Sequence, residues 1–277
     1  MELAEYERMY ELESFYWWFV ARRKILLDFV RYHSARRADP PSILDVGCGT
    51  GLNHSVLSRF GNVFSIDISA TALAFSRKRG ITSLERCDAE ATSFPDETFD
   101  LVTALDVLEH TEDDLSVLQE MWRIAKPNAT VLITVPAYGF LWSEHDEALH
   151  HRRRYSSHEL RNKITNTGFA VERCSYFITL LFFPILAFRI AQNLLKRSLK
   201  PQASHILLPK WANSFLIRLL DLERILLRYI NLPFGVSLVC VARKPPDVQS
   251  GLQARGDGVA DSTQGHDCHH APRHLLL

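Results

Sequence analysis

The chain is 277 residues long, 47% hydrophobic and 23% charged, and its 32 lysines and arginines balance 32 aspartates and glutamates. That length and composition fit an ordinary globular protein with a full core, and a formal net charge of zero removes any bulk-charge case for a nucleic-acid partner. Five scattered cysteines with no C-x-x-C pair argue against a disulfide framework and for a reducing compartment, so a cytoplasmic location is expected.

The acidic start, with Glu2, Glu5 and Glu7, lacks the basic-then-apolar order of a signal peptide. Met9, Leu12, Phe15 and Phe19 give residues 1–37 apolar spacing without a breaker, which predicts a helix. Asp39-Pro40-Pro41 then punctuates the chain and sets 1–41 apart as an N-terminal helical segment. From Ser42 the rhythm becomes strand, turn, helix. Short apolar runs predict buried strands at 43–46, 63–66, 99–105 and 130–135, with a weaker one at 82–86. Helical stretches fall between them at 52–60, 70–79 and 113–125. Ser156 with Glu159 reads as a capping box opening a helix that Gly168 closes, and strands are expected at 169–177 and 236–242. This alternation predicts an α/β fold, a doubly wound and mostly parallel sheet covered on both faces.

The most specific stretch is Ile43-Leu44-Asp45-Val46-Gly47-Cys48-Gly49-Thr50-Gly51. Glycines after a buried strand let the backbone turn sharply while a ligand approaches, and the following helix offers unpaired N–H groups. The spacing is G-x-G-x-G, whereas a dinucleotide fingerprint is G-x-G-x-x-G. Asp67 ends the second strand, where a carboxylate can accept both hydroxyls of a ribose. Asp88 ends the third, where one can accept from an adenine amino group.

Together with Phe94–Val102, Ala104–His110 and the Lys126-Pro127-Asn128 turn, these motifs resemble the class I S-adenosylmethionine-dependent methyltransferases of the type 11 kind. The resemblance runs from Ile43 to Phe177 and more weakly to the last strand. It implies a seven-stranded Rossmann-like sheet in a domain spanning 42–244, with S-adenosylmethionine as cofactor. Gly47, Cys48, Gly49 and Gly51 would form the turn beside its methionine part, and Asp45 would orient that region. Asp67 would hold the ribose, Ile68 would pack on adenine, Asp88 with Ala89 would read its amino edge, and Leu105 would line the pocket near the sulfonium. A nucleoside-binding module without turnover and an NAD-dependent oxidoreductase are the alternatives. The glycine spacing and Asp88 disfavour the second.

The acceptor is expected after the fifth strand, because ligands gather at the carboxyl ends of parallel strands. Residues 136–155 hold aromatics, carboxylates, histidines and Arg152-Arg153-Arg154. His145 or His150 is the expected base for a hydroxyl acceptor, with the arginines gripping a phosphate or carboxylate, or else pairing with Glu144, Asp146 and Glu147. Residues 178–233 form an insert before the last strand. Pro184 interrupts its first apolar run, which is too short for the roughly 20 residues of a membrane span. Arg218, Asp221, Arg224 and Arg228 make a narrow polar stripe on its second part. Between 189 and 228 there are eight basic residues and two acidic ones. That composition suits a membrane surface or a small, apolar, lipid- or saccharide-linked acceptor. A helical cap over the site and a dimer face are the other readings. Residues 245–277 read as a disordered tail. Its His266-Asp267-Cys268-His269-His270 run has only adventitious metal affinity, and no resident metal is expected.

Overall fold

In a computed structural model that describes residues 2–34, 39–194 and 208–246, the apolar runs become seven strands of one sheet. Two helices, α1 (Leu3–Leu12) and α2 (Trp17–Ser34), precede β1 (Ser42–Val46). Then follow α3 (Leu52–Leu57), β2 (Asn62–Asp67), α4 (Ala70–Lys78), β3 (Leu84–Arg86), β4 (Phe99–Leu105), α5 (Asp114–Ile124) and β5 (Ala125–Pro136). A 3-10 turn at Gly139–Leu141, α6 (Glu144–Ala148) and α7 (Ser157–Asn166) lead to β6 (Ala170–Phe177). The insert holds α8 (Phe182–Leu194) and α9 (Lys210–Leu226), and β7 (Ser237–Arg243) closes the sheet.

The strand order is β3-β2-β1-β4-β5-β7-β6, with β7 antiparallel to both neighbours. Alternate residues of each strand feed opposite faces. Leu44, Val102 and Ile133 pack with Val117, Leu118, Met121 and Ile164 of α5 and α7. Ile43, Leu101 and Leu132 pack on the other face with Ile25 and Val30 of α2 and Leu220 of α9. Both faces of the sheet are therefore covered, as the near-continuous apolar strands require.

Four expectations change. The single N-terminal helix is two, broken at residues 13–16, where Glu13 turns inward. The expected 126–128 turn lies inside β5 as an excursion between Phe99↔Ala125 and Leu101↔Thr130, with Asn128 at φ +64°. Pro184 does not interrupt a helix. It sits in the first turn of α8, where backbone N–H groups have no helical acceptor in any case. Three of the four stripe residues pair with α2, Lys24 meeting Asp221 at 2.6 Å and Asp28 taking Arg224 and Arg228, each at 2.8 Å, while Arg218 is exposed. Of the tail expected at 245–277, residues 247–277 with the histidine run lie outside the described residues, as do Lys196, Arg197 and Lys200 of the insert.

Candidate active site

The turn after β1 is shaped by what its glycines lack. Gly47 has φ +66°, and a Cβ built there would sit 2.6 Å from Val107 Cγ2. Gly51, at φ +87°, begins α3 and faces Ser76 of α4 rather than the ligand side. Asp45 is fully buried beneath the turn. Its Oδ1 accepts from Thr103 Oγ1 at 2.9 Å, and its Oδ2 has no partner among the described residues. Burial pushes its carboxyl up to about 7 against the Thr103 hydrogen bond. Burial likewise raises the Cys48 thiol, with the Asp45 and Asp67 charges adding to it, so Cys48 contributes wall rather than nucleophile.

Asp67 ends β2 with its carboxylate pinned. Gly49 N donates to Oδ2 at 2.9 Å and Ser69 N to Oδ1 at 2.8 Å. Burial raises its carboxyl, and the two N–H groups oppose that. Each oxygen keeps a lone pair for a further donor. Asp88, exposed after β3, accepts from Glu90 N at 3.0 Å. Gly47, Cys48, Gly49, Asp67, Ile68, Asp88, Ala89 and Leu105 all line one cavity of about 620 Å³, whereas Asp45 and Gly51 stand outside its lining. A cavity of that size accommodates a nucleoside with room beyond it.

The two N-terminal helices form the opposite wall through Tyr6, Met9, Glu13, Trp18 and Arg22. Glu13 is buried and holds α1 to the Gly-rich turn, accepting from Thr50 Oγ1 and from Arg79 Nη2, the latter at 2.6 Å. Arg22 pairs with Asp106, donates to Ser237 Oγ at 2.7 Å, and lies 5.2 Å from the Trp18 ring centre. Segments at opposite ends of the chain thus meet over one cavity.

Beyond Leu105 the cavity continues along Glu109, His110, His145, His151 and Arg154. His150, an expected base, is not among them. It sits exposed at φ +58°, and the turn it makes sends His151 inward instead. The His151 ring meets Asp146 at 2.8 Å through Nδ1. Asp146 is fully buried and also takes Arg154 Nε at 2.7 Å and Ser143 N at 2.9 Å. Burial alone would raise its carboxyl, but His151, Arg154 and Arg189 together hold it well below the usual range. Two of the three arginines are therefore engaged by the protein itself. Arg154 serves Asp146, Arg153 donates to the Glu112 carbonyl at 2.7 Å, and Arg152 points to solvent 3.9 Å from Glu112. His110 is exposed on the cavity wall, its ring edge to face with that of His151. Desolvation within the cavity, with His151 adding to it, pushes the imidazole down to about 4. Burial also pushes the Glu109 carboxyl well up, helped by the Asp106 charge.

Sequence reasoning missed Glu109 and His151, and it named Asp146 only as a partner of the arginines, which Arg154 bears out. The one available signal for Glu109 was its place in the apolar run that continues β4, where a surface charge would be out of register.

Residues 44–133 match the family model described as Methyltransferase domain. The ubiquinone biosynthesis O-methyltransferase of Hahella chejuensis is 35% identical over 116 residues, covering 39% of this chain and 48% of its own length. The demethylmenaquinone methyltransferase of Shouchella clausii is 36% identical over 118 residues, covering 36% of this chain and 50% of its own length. The chain spans about half the length of the curated relatives it matches. Among solved structures, the [4+2]-cyclase SpnF superposes with a TM-score of 0.53 at 20% identity, covering 80% of this chain and 82% of its own. That likeness shows the fold alone, and a fold hosts more than one reaction.

Proposed function

We propose that this chain, which belongs to the class I S-adenosylmethionine-dependent methyltransferase family, transfers a methyl group to a hydroxyl of a small apolar or lipid- or saccharide-linked acceptor. One observation carries this reading. The ends of β1, β2 and β3 deliver the Gly-rich turn, Asp67 and Asp88 to a single cavity, which continues past Leu105 into a histidine-lined chamber. When bound, the cofactor supplies a methyl group already activated on a sulfonium. The residues present fit it: a Cβ at Gly47 would close the cradle, and Asp67 presents a carboxylate held still by two backbone donors. Ile68 stands exposed on the rim, where an adenine face would cover it.

The protein's share of the work is positioning and proton handling. Leu105 and Val107 keep the approach to the reacting carbon apolar, and His145 stands on the chamber wall to take the acceptor proton. A quinone-like phenol fits the names of the relatives and the apolar lining. Incubating a membrane-lipid extract with methyl-labelled S-adenosylmethionine and the protein tests this, by identifying the labelled product. Label entering a lipid or phenol fraction supports the proposal. Cofactor binding without transfer to any fraction favours a binding module, and binding of NAD alone removes the reading.

A second feature concerns where the acceptor is met. With most of its charged stripe turned against α2, the insert presents Phe183, Trp211, Phe215, Leu222, Ile225 and Tyr229 to solvent. No helix among the described residues is long and apolar enough to cross a membrane. We read this face as resting on a lipid surface, where exposed aromatic and aliphatic side chains of a surface helix sink into the headgroup boundary. Vesicle flotation of the wild type against Trp211→Ser/Phe215→Ser/Tyr229→Ser tests it. Equal partitioning of the two proteins counts against lipid contact, and a concentration-dependent dimer in sedimentation assigns the face to a second copy.

A further inference from the structure

The chamber beyond the Gly-rich turn holds a group of side chains that a base-only mechanism leaves unexplained. Glu109 follows β4 with no exposed surface, and neither carboxylate oxygen has a partner among the described residues. Leaving such a group unpaired costs several kcal/mol, and native proteins keep few of them. The nearby cations are committed elsewhere, Arg22 to Asp106 and Ser237, and Arg154 to Asp146 and the Ala137 carbonyl. What Glu109 does face are two imidazoles. A ligand atom each from Glu109, His110 and His151 lie within 4.8 Å of one another, and the two rings stand edge to face with centres 4.8 Å apart.

We propose that Glu109, His110 and His151 bind a divalent cation of the zinc, manganese or ferrous class, whose open positions hold the acceptor hydroxyl. Two imidazoles and one carboxylate are the donor set such ions prefer in sites that keep room for substrate. Three ligand atoms about 2.1 Å from a shared ion lie roughly 3.0–3.6 Å apart, so drawing in atoms now up to 4.8 Å apart asks each to move by about 0.7–1 Å. The side chains that orient His151 are in place. Asp146 takes the His151 Nδ1 position and leaves Nε2 for the ion, and Arg154, Arg189 and the Ser143 N–H fix Asp146 in turn. Carboxylate-to-histidine pairs of this kind set the tautomer and ring orientation of metal ligands.

The metal's role rests on the methyl-transfer reading. A hydroxyl on the ion loses its proton more readily, and His145, whose ring centre is 6.3 Å from that of His151, receives it. The oxygen–methyl bond then forms as the sulfur–methyl bond breaks, and a neutral thioether leaves.

The test uses the full chain with His266, His269 and His270 changed to Asn, so that the C-terminal run does not bind the added metal. Calorimetry with S-adenosylhomocysteine comes first. Failure there removes the methyl-transfer reading and leaves the metal question standing. Zn²⁺, Mn²⁺ and Mg²⁺ are then titrated in equilibrium dialysis, and Co²⁺ is followed by visible absorption. The expected result is a single tight equivalent of Zn²⁺ and Co²⁺, with a cobalt spectrum showing nitrogen ligation. Glu109→Gln and His151→Asn should lose that binding, and Asp146→Asn should weaken it about 10- to 100-fold. Nucleoside affinity should be kept in every variant that melts cooperatively. Absence of a stoichiometric site in the parent protein, or an unchanged site in both Glu109→Gln and His151→Asn, overturns the proposal. Should those variants fail to fold, the parent protein's cobalt spectrum decides alone, and a spectrum without nitrogen ligation overturns it equally.

Discussion

Replacing Asp67 with asparagine changes one oxygen to an amino group, and the surroundings of that atom make the consequence calculable. Oδ2 accepts from Gly49 N at 2.9 Å and Oδ1 from Ser69 N at 2.8 Å. An amide supplies only one acceptor, so one of these N–H groups must face a donor, and one charge-assisted bond is lost. In the ligand-free protein that loss is offset in part, because burial already disfavours the Asp67 charge. The melting temperature should therefore move by only a few degrees. Nothing offsets the change for a bound ribose, whose hydroxyls need a charged acceptor. Hydrogen bonds to charged groups contribute about 1.5–3 kcal/mol, so S-adenosylhomocysteine should bind about 10- to 150-fold more weakly. Calorimetric titration of wild type and Asp67→Asn measures this. An affinity within about threefold of wild type would show that the carboxylate does not hold the ribose.

Asp45 makes stability fall with pH. Its carboxyl is near 7 in the folded chain against an ordinary value of 3.8, so the folded state holds a proton that the unfolded state releases as pH rises from about 4 to 7. Unfolding free energy should decline across that window by at most about 4 kcal/mol and level off above it. Asp45→Asn should flatten the slope, and denaturant melts at pH 5 and 8 that show the same slope in both proteins would refute this. Glu223 is buried and accepts from the N–H groups of Ile178, Thr179 and Leu180, the last two at 2.8 and 3.0 Å. Glu223→Ala strands all three, so a loss of about 2–4 kcal/mol is expected in chemical denaturation. Glu13→Ala removes the acceptor for Thr50 and Arg79, and hydrogen exchange should show α1 opening readily. Unaltered protection across Leu3–Leu12 would mean that the helix is held by its apolar contacts alone.

β1, β4 and β5 were legible because each is an apolar run buried on both sides, and such runs have few alternatives. β3 read weakly since it is three residues long and half exposed. The break after Leu12 carries no proline or glycine. It exists because Glu13 is drawn to Thr50 and Arg79, which are distant in sequence. The same limit hid the partners of α9, whose Asp221 and Arg224 meet Lys24 and Asp28 from a distant part of the chain. At the site, the residues that regular elements aim were readable, namely Asp67 at a strand end and the glycines between strand and helix. The choice of His151 over His150 depends on one positive φ in an irregular segment, and no periodicity encodes that.

The insert leaves the sheet at Phe177 and returns at Ser237, and these two residues are register partners on adjacent strands. To the sheet, the whole excursion is therefore no longer than a hairpin turn. Val236 and Ser237, at its return, also border the cavity. A lineage can lengthen, trim or exchange this loop without disturbing a single ladder bond, yet every such edit is felt at the mouth of the site. Substrate choice and cellular address are thus open to change together, within the limit that Leu220 and Leu227 of the insert keep covering one face of the sheet.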